Sequence, residues 1–382
     1  MRAGWTPKCA AGIARGLPHG GATVLGALVC AACLALPGCL GNDGDDPPPR
    51  IKGDTATVYS SAPRHGVSAT TAAEVVAGER RALEGRGGRA GGLRIRFRRL
   101  PATDDRDQAW DPALVAENAN RAADDPTAIA YLGELDYGAT AVSLPITNDA
   151  GLLQVSPGDG LTSLTRRPPG RPRAGPERYY PTDRRTFVRI GPTDLDEADT
   201  LVARLASAED TGFALVFDRE IYGRELAAQV IERARGAGMR PVATEEYRGQ
   251  IDDIPDIARS LAEGRPEAVV QLSVAGRGTI PMLVAIDDEL PGVPVFASSG
   301  ILALPQLALP AGPNRIEAFG PALPPEQTGY EAMRLVLDAV AEGGRDRRRV
   351  VSAALRLGRR LPADPVARYR PDTHGRFAKV SP

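Results

Sequence analysis

Short apolar runs alternate with longer stretches whose apolar residues recur every three to four positions. The runs at 55–60, 93–100, 128–132 and 152–155 predict strands, and 71–83, 112–123 and 138–148 predict the helices between them. Residues 93–100 set Leu93, Ile95 and Phe97 against Arg94, Arg96 and Arg98. That is the period-two alternation of a strand with one wet face. Asp111 followed by Pro112 marks a helix start, and Pro145 predicts a bend. Residues 164–186 break the pattern with prolines and arginines, which predicts a surface crossover with little regular structure. A second run follows, with helices at 194–207, 224–237, 254–263 and 279–288 and strands at 213–217, 242–247, 268–272, 293–297 and 316–319. Leu226, Val230, Ile231 and Ala234 share one helix face, and Gly238 follows as the cap. Helices at 325–342 and 345–357 and a hairpin over 366–380, turning at Asp372–Gly375, end the chain. Strands alternating with helices predict an α/β fold of two Rossmann-like, parallel-sheet lobes.

The first 54 residues follow neither period. Residues 20–36 are nearly all small or apolar, Arg2, Lys8 and Arg15 precede them, and no acid occurs before Asp43. This is the layout of an export signal. In Leu36-Pro37-Gly38-Cys39 a cysteine follows a small residue, which predicts a lipoprotein signal peptide over 1–38 and lipid attachment at Cys39. Plain secretion and an uncleaved anchor are the alternatives. Residues 39–54, with Asn42, Asp43, Asp45, Asp46 and three prolines, read as a disordered tether. The expected location is extracytoplasmic, lipid-anchored to the cell membrane.

Composition adds exclusions. The chain is 42% hydrophobic and 25% charged with net charge −1, so no basic field points to nucleic acid. The cysteines are Cys9, Cys30, Cys33 and Cys39. Only Cys39 outlasts processing, so stability must come from burial rather than disulfides. Outside the leader the histidines are His65 and His374, and neither has a partner at metal-ligand spacing. His65 falls in a strand-to-helix loop. There is no nucleophile elbow or P-loop, and the glycine string 85–90 follows a helix instead of a strand. Asp104, Asp105, Asp107 and Asp111 lack calcium-loop spacing. The arginines at 345–349 read as an exposed helix face. No catalytic residue, metal or cofactor is expected, and the chain does not read as an enzyme.

Ligands of open parallel sheets sit outside the carboxyl ends of strands. The loops to inspect are 60–66, 134–138 and 156–160 in the first run, and 218–223, 273–278 and 298–300 in the second. Several segments resemble the type I periplasmic-binding-protein fold, in particular the leucine/isoleucine/valine-binding family. They are Tyr131-Leu132-Gly133-Glu134, Gly138-Ala139-Thr140, Pro145 to Gly151, Gln154-Val155-Ser156-Pro157, Tyr179-Tyr180-Pro181 with Phe187-Val188-Arg189, Tyr222-Gly223, Phe296 to Gly300 and Gly329 to Ala332. The resemblance spans about 55–380.

It implies two lobes joined by three hinge crossovers, with 55–165 and 298–340 in lobe one and 166–297 and 341–382 in lobe two. It also implies ligand contacts from Leu135, Asp136, Tyr137, Ser156, Gly158 and Gly160 in lobe one and from Tyr222, Ala275 and Ser299 in lobe two. The implied function is solute binding for an ABC-type importer. Its partners would be a small polar solute (amino acid, amide or related) and a membrane permease. A ligand-sensing receptor domain for a membrane signalling protein is the alternative. Family members that bind amino acids place an acid in lobe two against the ligand ammonium, where this chain has Ser298 and Ser299. Asp218 would either replace that acid or cap its helix, and Asp136, if it faces the cleft, would repel a bound carboxylate.

Overall fold

The computed structural model describes residues 50–380 apart from 105–109, 172, 208–211, 249–252, 277, 305–314 and 362–364. The leader, Cys39, most of the tether, and Asp105 and Asp107 lie outside the described residues.

The chain runs β1 (Thr55–Ala62), α1 (Ala69–Gly85), β2 (Arg89–Ala90), β3 (Leu93–Pro101), α2 (Pro112–Asp124), β4 (Ala128–Leu132), α3 (Thr140–Asp149), β5 (Leu153–Ser156) and β6 (Phe187–Arg189). It continues through α4 (Asp194–Ser207), β7 (Gly212–Asp218), α5 (Ile221–Gly236), β8 (Arg240–Tyr247), α6 (Ile254–Glu263), β9 (Ala268–Leu272), α7 (Thr279–Glu289), β10 (Val295–Ala297) and β11 (Ile316–Pro321). It closes with α8 (Pro325–Gly343), α9 (Arg347–Gly358), β12 (Val366–Pro371) and β13 (Phe377–Lys379).

β1 and β4 are buried on both faces, as central strands of a covered parallel sheet must be. They sit in a six-stranded sheet of order β2-β3-β1-β4-β5-β6, in which only the short β2 runs antiparallel. One face packs against α1, α8 and α9, through residues such as Val58, Ile129, Val336 and Val350. The other face packs against α2 and α3. A seven-stranded sheet of order β13-β12-β11-β10-β9-β7-β8 forms the second lobe, with the β12–β13 hairpin antiparallel at one edge. Leu201, Leu226 and Val230 of α4 and α5 cover one of its faces, and Leu261, Met282 and Ile286 of α6 and α7 cover the other.

This pairing corrects the expected lobe boundaries. β6 hydrogen-bonds to β5, so 166–190 stays in lobe one and does not open lobe two. β11 pairs with β10, which places 316–321 in lobe two. α9 packs on the first sheet, so only the final hairpin of 341–382 belongs to lobe two. The chain passes between lobes after β6, after β11 and after α9. Residues 164–186 are also less superficial than expected, because Leu164, Tyr179, Tyr180 and Phe187 bury together with Leu144. The Tyr180 hydroxyl donates to the Leu164 carbonyl at 2.7 Å. The arginine run at 345–349 is likewise not a uniformly exposed face. Arg347 is buried and donates to the carbonyls of Ala128 (2.8 Å), Asp125 (2.9 Å) and Ala150 (3.2 Å).

Candidate functional site

In the first sheet β1 lies between β3 and β4, and in the second β7 lies between β8 and β9. At these two places strand order reverses, the position at which open parallel sheets present their loops to a ligand. The rims there are built from the loops after β1, β4 and β5 in lobe one and after β7, β9 and β10 in lobe two.

Lobe one and lobe two meet at Tyr137. Its ring lies edge to face on Tyr222 of α5, centroids 4.7 Å apart. The Tyr137 hydroxyl donates to Asp194 at the start of α4. Beside it, a Cβ on Gly138 would lie 3.5 Å from the Ile221 side chain. The rims therefore touch through an aromatic pair next to the hinge.

Of four more expected residues, Ser299 and Gly160 lie beside this contact, whereas Leu135 and Gly158 pack against each other within lobe one. Leu135 is half-buried against Ala62, Ala72 and Val76, and its side chain and carbonyl fill the space a side chain at Gly158 would need. Gly160 sits under the first crossover: its carbonyl accepts from Asp194 N at 2.9 Å, and a Cβ there would approach Pro192 O at 3.3 Å. Tyr222 is buried, donates to the Glu197 carboxylate at 2.9 Å, and lies 2.7 Å from Ser299 Oγ.

The remaining three differ in role. Ser156 is buried, and its hydroxyl serves its own turn. It donates to Glu134 O at 2.7 Å and accepts from Asp159 N (2.9 Å) and Gly158 N (3.3 Å). Asp136 is half-buried and accepts from Ser68 Oγ at 2.6 Å, and burial raises its carboxyl to about 6. Ala275 is buried in the loop after β9, and nothing ties it to the tyrosine pair. Asp218 caps: its carboxylate accepts from Val274 N at 2.7 Å and Glu220 N at 3.2 Å. Burial raises that carboxyl to about 7. His65 is exposed on its loop.

The acids that hold these rims are not legible as site residues in the sequence. Glu197 is 5% exposed and accepts from Tyr222, from Ser299 N at 2.7 Å and from Ser299 Oγ at 3.2 Å. Burial raises its carboxyl to about 7 despite these bonds. Asp194, 1% exposed, accepts from Thr162 N at 3.1 Å, from the Thr162 hydroxyl and from Tyr137. Asp159, fully buried, accepts from Thr140 N at 3.0 Å and Leu161 N at 3.1 Å. Arg189 turns its guanidinium onto the carbonyls of Asp159 and Leu161, each at 2.6 Å. Asp194 and Glu197 stand in the first turn of a helix, where acids are expected for the dipole alone. That ordinary role masks a second one in sequence.

Among the described residues no group of three or more His, Cys, Asp or Glu side chains could hold a metal ion. No helix among them is long and apolar enough to cross a membrane.

Residues 60–313 match the family profile described as Periplasmic binding protein. No match is found among curated proteins. Similar solved structures include an ABC transporter substrate-binding protein from Desulfitobacterium hafniense in complex with Leu. It is 16% identical, with TM-score 0.65, over 85% of this chain and 100% of that one. The leucine binding protein LivK of Thermotoga maritima is 14% identical, with TM-score 0.65, over 86% and 98%. A solute binding protein of an ABC transporter from R. palustris, in complex with benzoate, is 14% identical, with TM-score 0.65, over 85% and 95%. At these identities the likeness carries the fold.

Proposed function

Because the chain belongs to the periplasmic binding protein family, whose members bind substrates and are not enzymes, we propose that it is the solute-binding component of an ABC-type importer. It works outside the cytoplasm, is held to the membrane by lipid on Cys39, and takes one small polar solute between its lobes. The Tyr137–Tyr222 contact at the mouth of the first crossover carries this reading. It brings loops from the carboxyl ends of two sheets to one point, where a ligand can touch both lobes and favour their approach. Two similar structures, with leucine and with benzoate, support a small-molecule ligand. A permease then reads the joined surface of both lobes.

A solute that binds only the folded chain raises its melting temperature. A thermal-shift screen of amines, amides, amino acids and aromatic acids is expected to give at least one hit that Tyr222→Ala abolishes. A screen without any hit would remove the transport reading. Cys39→Ser is expected to move the protein from the membrane fraction to the soluble one.

A further inference from the structure

We propose that the end of lobe one where the chain enters the fold is a docking surface for the headgroups of an anionic phospholipid bilayer. This rests on the reading of Cys39 as the lipid anchor. The entry point is fixed. Ile51 is buried, its N–H donates to Arg345 O at 2.8 Å, and Arg50 pairs through its backbone with Asp346. At no more than about 3.6 Å per residue, the chain from Cys39 to Arg50 spans about 40 Å at most. A lipid on Cys39 therefore keeps this end of lobe one near the bilayer.

The same end carries cations that no acid neutralises. Arg50, Lys52, Arg89, Arg345 and Arg349 are exposed, and none of them makes an ion pair among the described residues. They share one surface. Arg94 N donates to Asp54 O at 2.8 Å, and a Cβ on Gly91 would collide with Val340 O at the end of α8. Most acids nearby are engaged. Asp54 pairs with Arg94 at 2.9 Å, Glu342 pairs with Arg356, and Asp346 is buried, accepting from Arg349 N at 3.1 Å. Glu84, Asp124 and Asp149 are exposed at this end and leave the cations in excess. The chain as a whole has net charge −1, so the excess is local.

A groove of about 630 Å³ opens between β3 and α2, with Arg96 and Arg98 on one wall and Asn120 and Arg121 on the other. Asp125 and Thr127, which precede β4, place one end of it at the same surface. Of the acids that line it, Asp125 accepts from the Tyr59 hydroxyl and Thr127 N, each at 2.8 Å, Glu117 pairs with Arg121 at 2.6 Å, and Asp124 stays free. Arg96 is exposed without an ion pair among the described residues, and its planar fork suits a phosphate. Each Lys or Arg held near an anionic leaflet strengthens binding about fivefold. β1 runs away from this surface for eight residues, roughly 26 Å. A docked lobe one thus holds the rims off the bilayer and open to solute.

The test is co-sedimentation of the full Cys39→Ser chain with vesicles of phosphatidylcholine, alone or mixed equally with phosphatidylglycerol, at low and high salt. At low salt the mixed vesicles are expected to bind it about tenfold more tightly, and high salt is expected to remove the difference. Arg2, Lys8 and Arg15 of the leader add the same attraction to every variant, so Arg50→Glu with Arg345→Glu separates the surface from the leader. That double variant is expected to lose about tenfold in affinity for the mixed vesicles while keeping its far-UV circular dichroism. Should it fail to fold, Lys52→Glu with Arg349→Glu reads the same surface. Equal binding to both vesicle types, or unchanged binding by a folded double variant, would overturn the inference. Failure of the anchor reading shows separately, as a Cys39→Ser chain that fractionates like the wild type.

Discussion

At Tyr137 one side chain does two things, packing edge to face on Tyr222 and donating to Asp194. Only the first residue type, an aromatic in a rim loop, was legible in the sequence. Its partner Asp194 lies 57 positions away, and nothing in local spacing reports such a contact. Ser156 shows the opposite failure. A hydroxyl in a rim loop looks available to a ligand, yet its own turn uses it. Burial likewise sets behaviour that sequence cannot show. Glu79 is 1% exposed beside Ser60, whose hydroxyl donates to it at 2.7 Å. Burial lifts its carboxyl from 4.5 to about 8. The folded chain thus keeps a proton that the unfolded chain has lost across that window. Stability from this group is full below pH 4.5 and falls as pH rises toward 8. Glu79→Gln is expected to raise the urea midpoint at pH 8 and to leave it nearly unchanged at pH 5. An equal effect at both pH values would contradict the assignment.

Elements with long periodic patterns were read well. The sequence boundaries of α6 and β9 coincide with the observed ones, and α5 keeps Leu226, Val230 and Ala234 buried. The two-residue β2 and three-residue β6 escaped, because strands that short carry no periodicity and exist only through pairing. Helix contacts were also invisible. α1 and α8 cross where Gly78 faces the Glu326 carbonyl and Gly329 faces the Val75 carbonyl, with no room for a Cβ at either glycine. Gly329→Ala must push the helices apart. The expected cost is about 1–3 kcal/mol, the usual range for overpacking, measured by urea unfolding. A neutral effect would show that the helices are not so closely packed.

For the whole molecule, the alternation of strands and helices was enough to give two α/β lobes. It was not enough to divide the chain between them. Residues 166–190 look like a crossover because proline and arginine interrupt the pattern, but Phe187–Arg189 return to the first sheet. Lobe membership is decided by strand order, a long-range property. The same segment reaches lobe two through side chains: Arg171 pairs with Glu225 of α5 at 2.6 Å, and Arg166 approaches Asp196 of α4 at 3.3 Å. Such exposed pairs contribute little to stability; their place between lobes fits a contact that forms and breaks. Native mass spectrometry of the protein purified without denaturation tests most directly whether these lobes hold a single small solute. One mass increment of a small molecule per chain, lost in a folded Tyr222→Ala variant, is the predicted result. A bare wild-type chain, or an increment that survives the substitution, would contradict it.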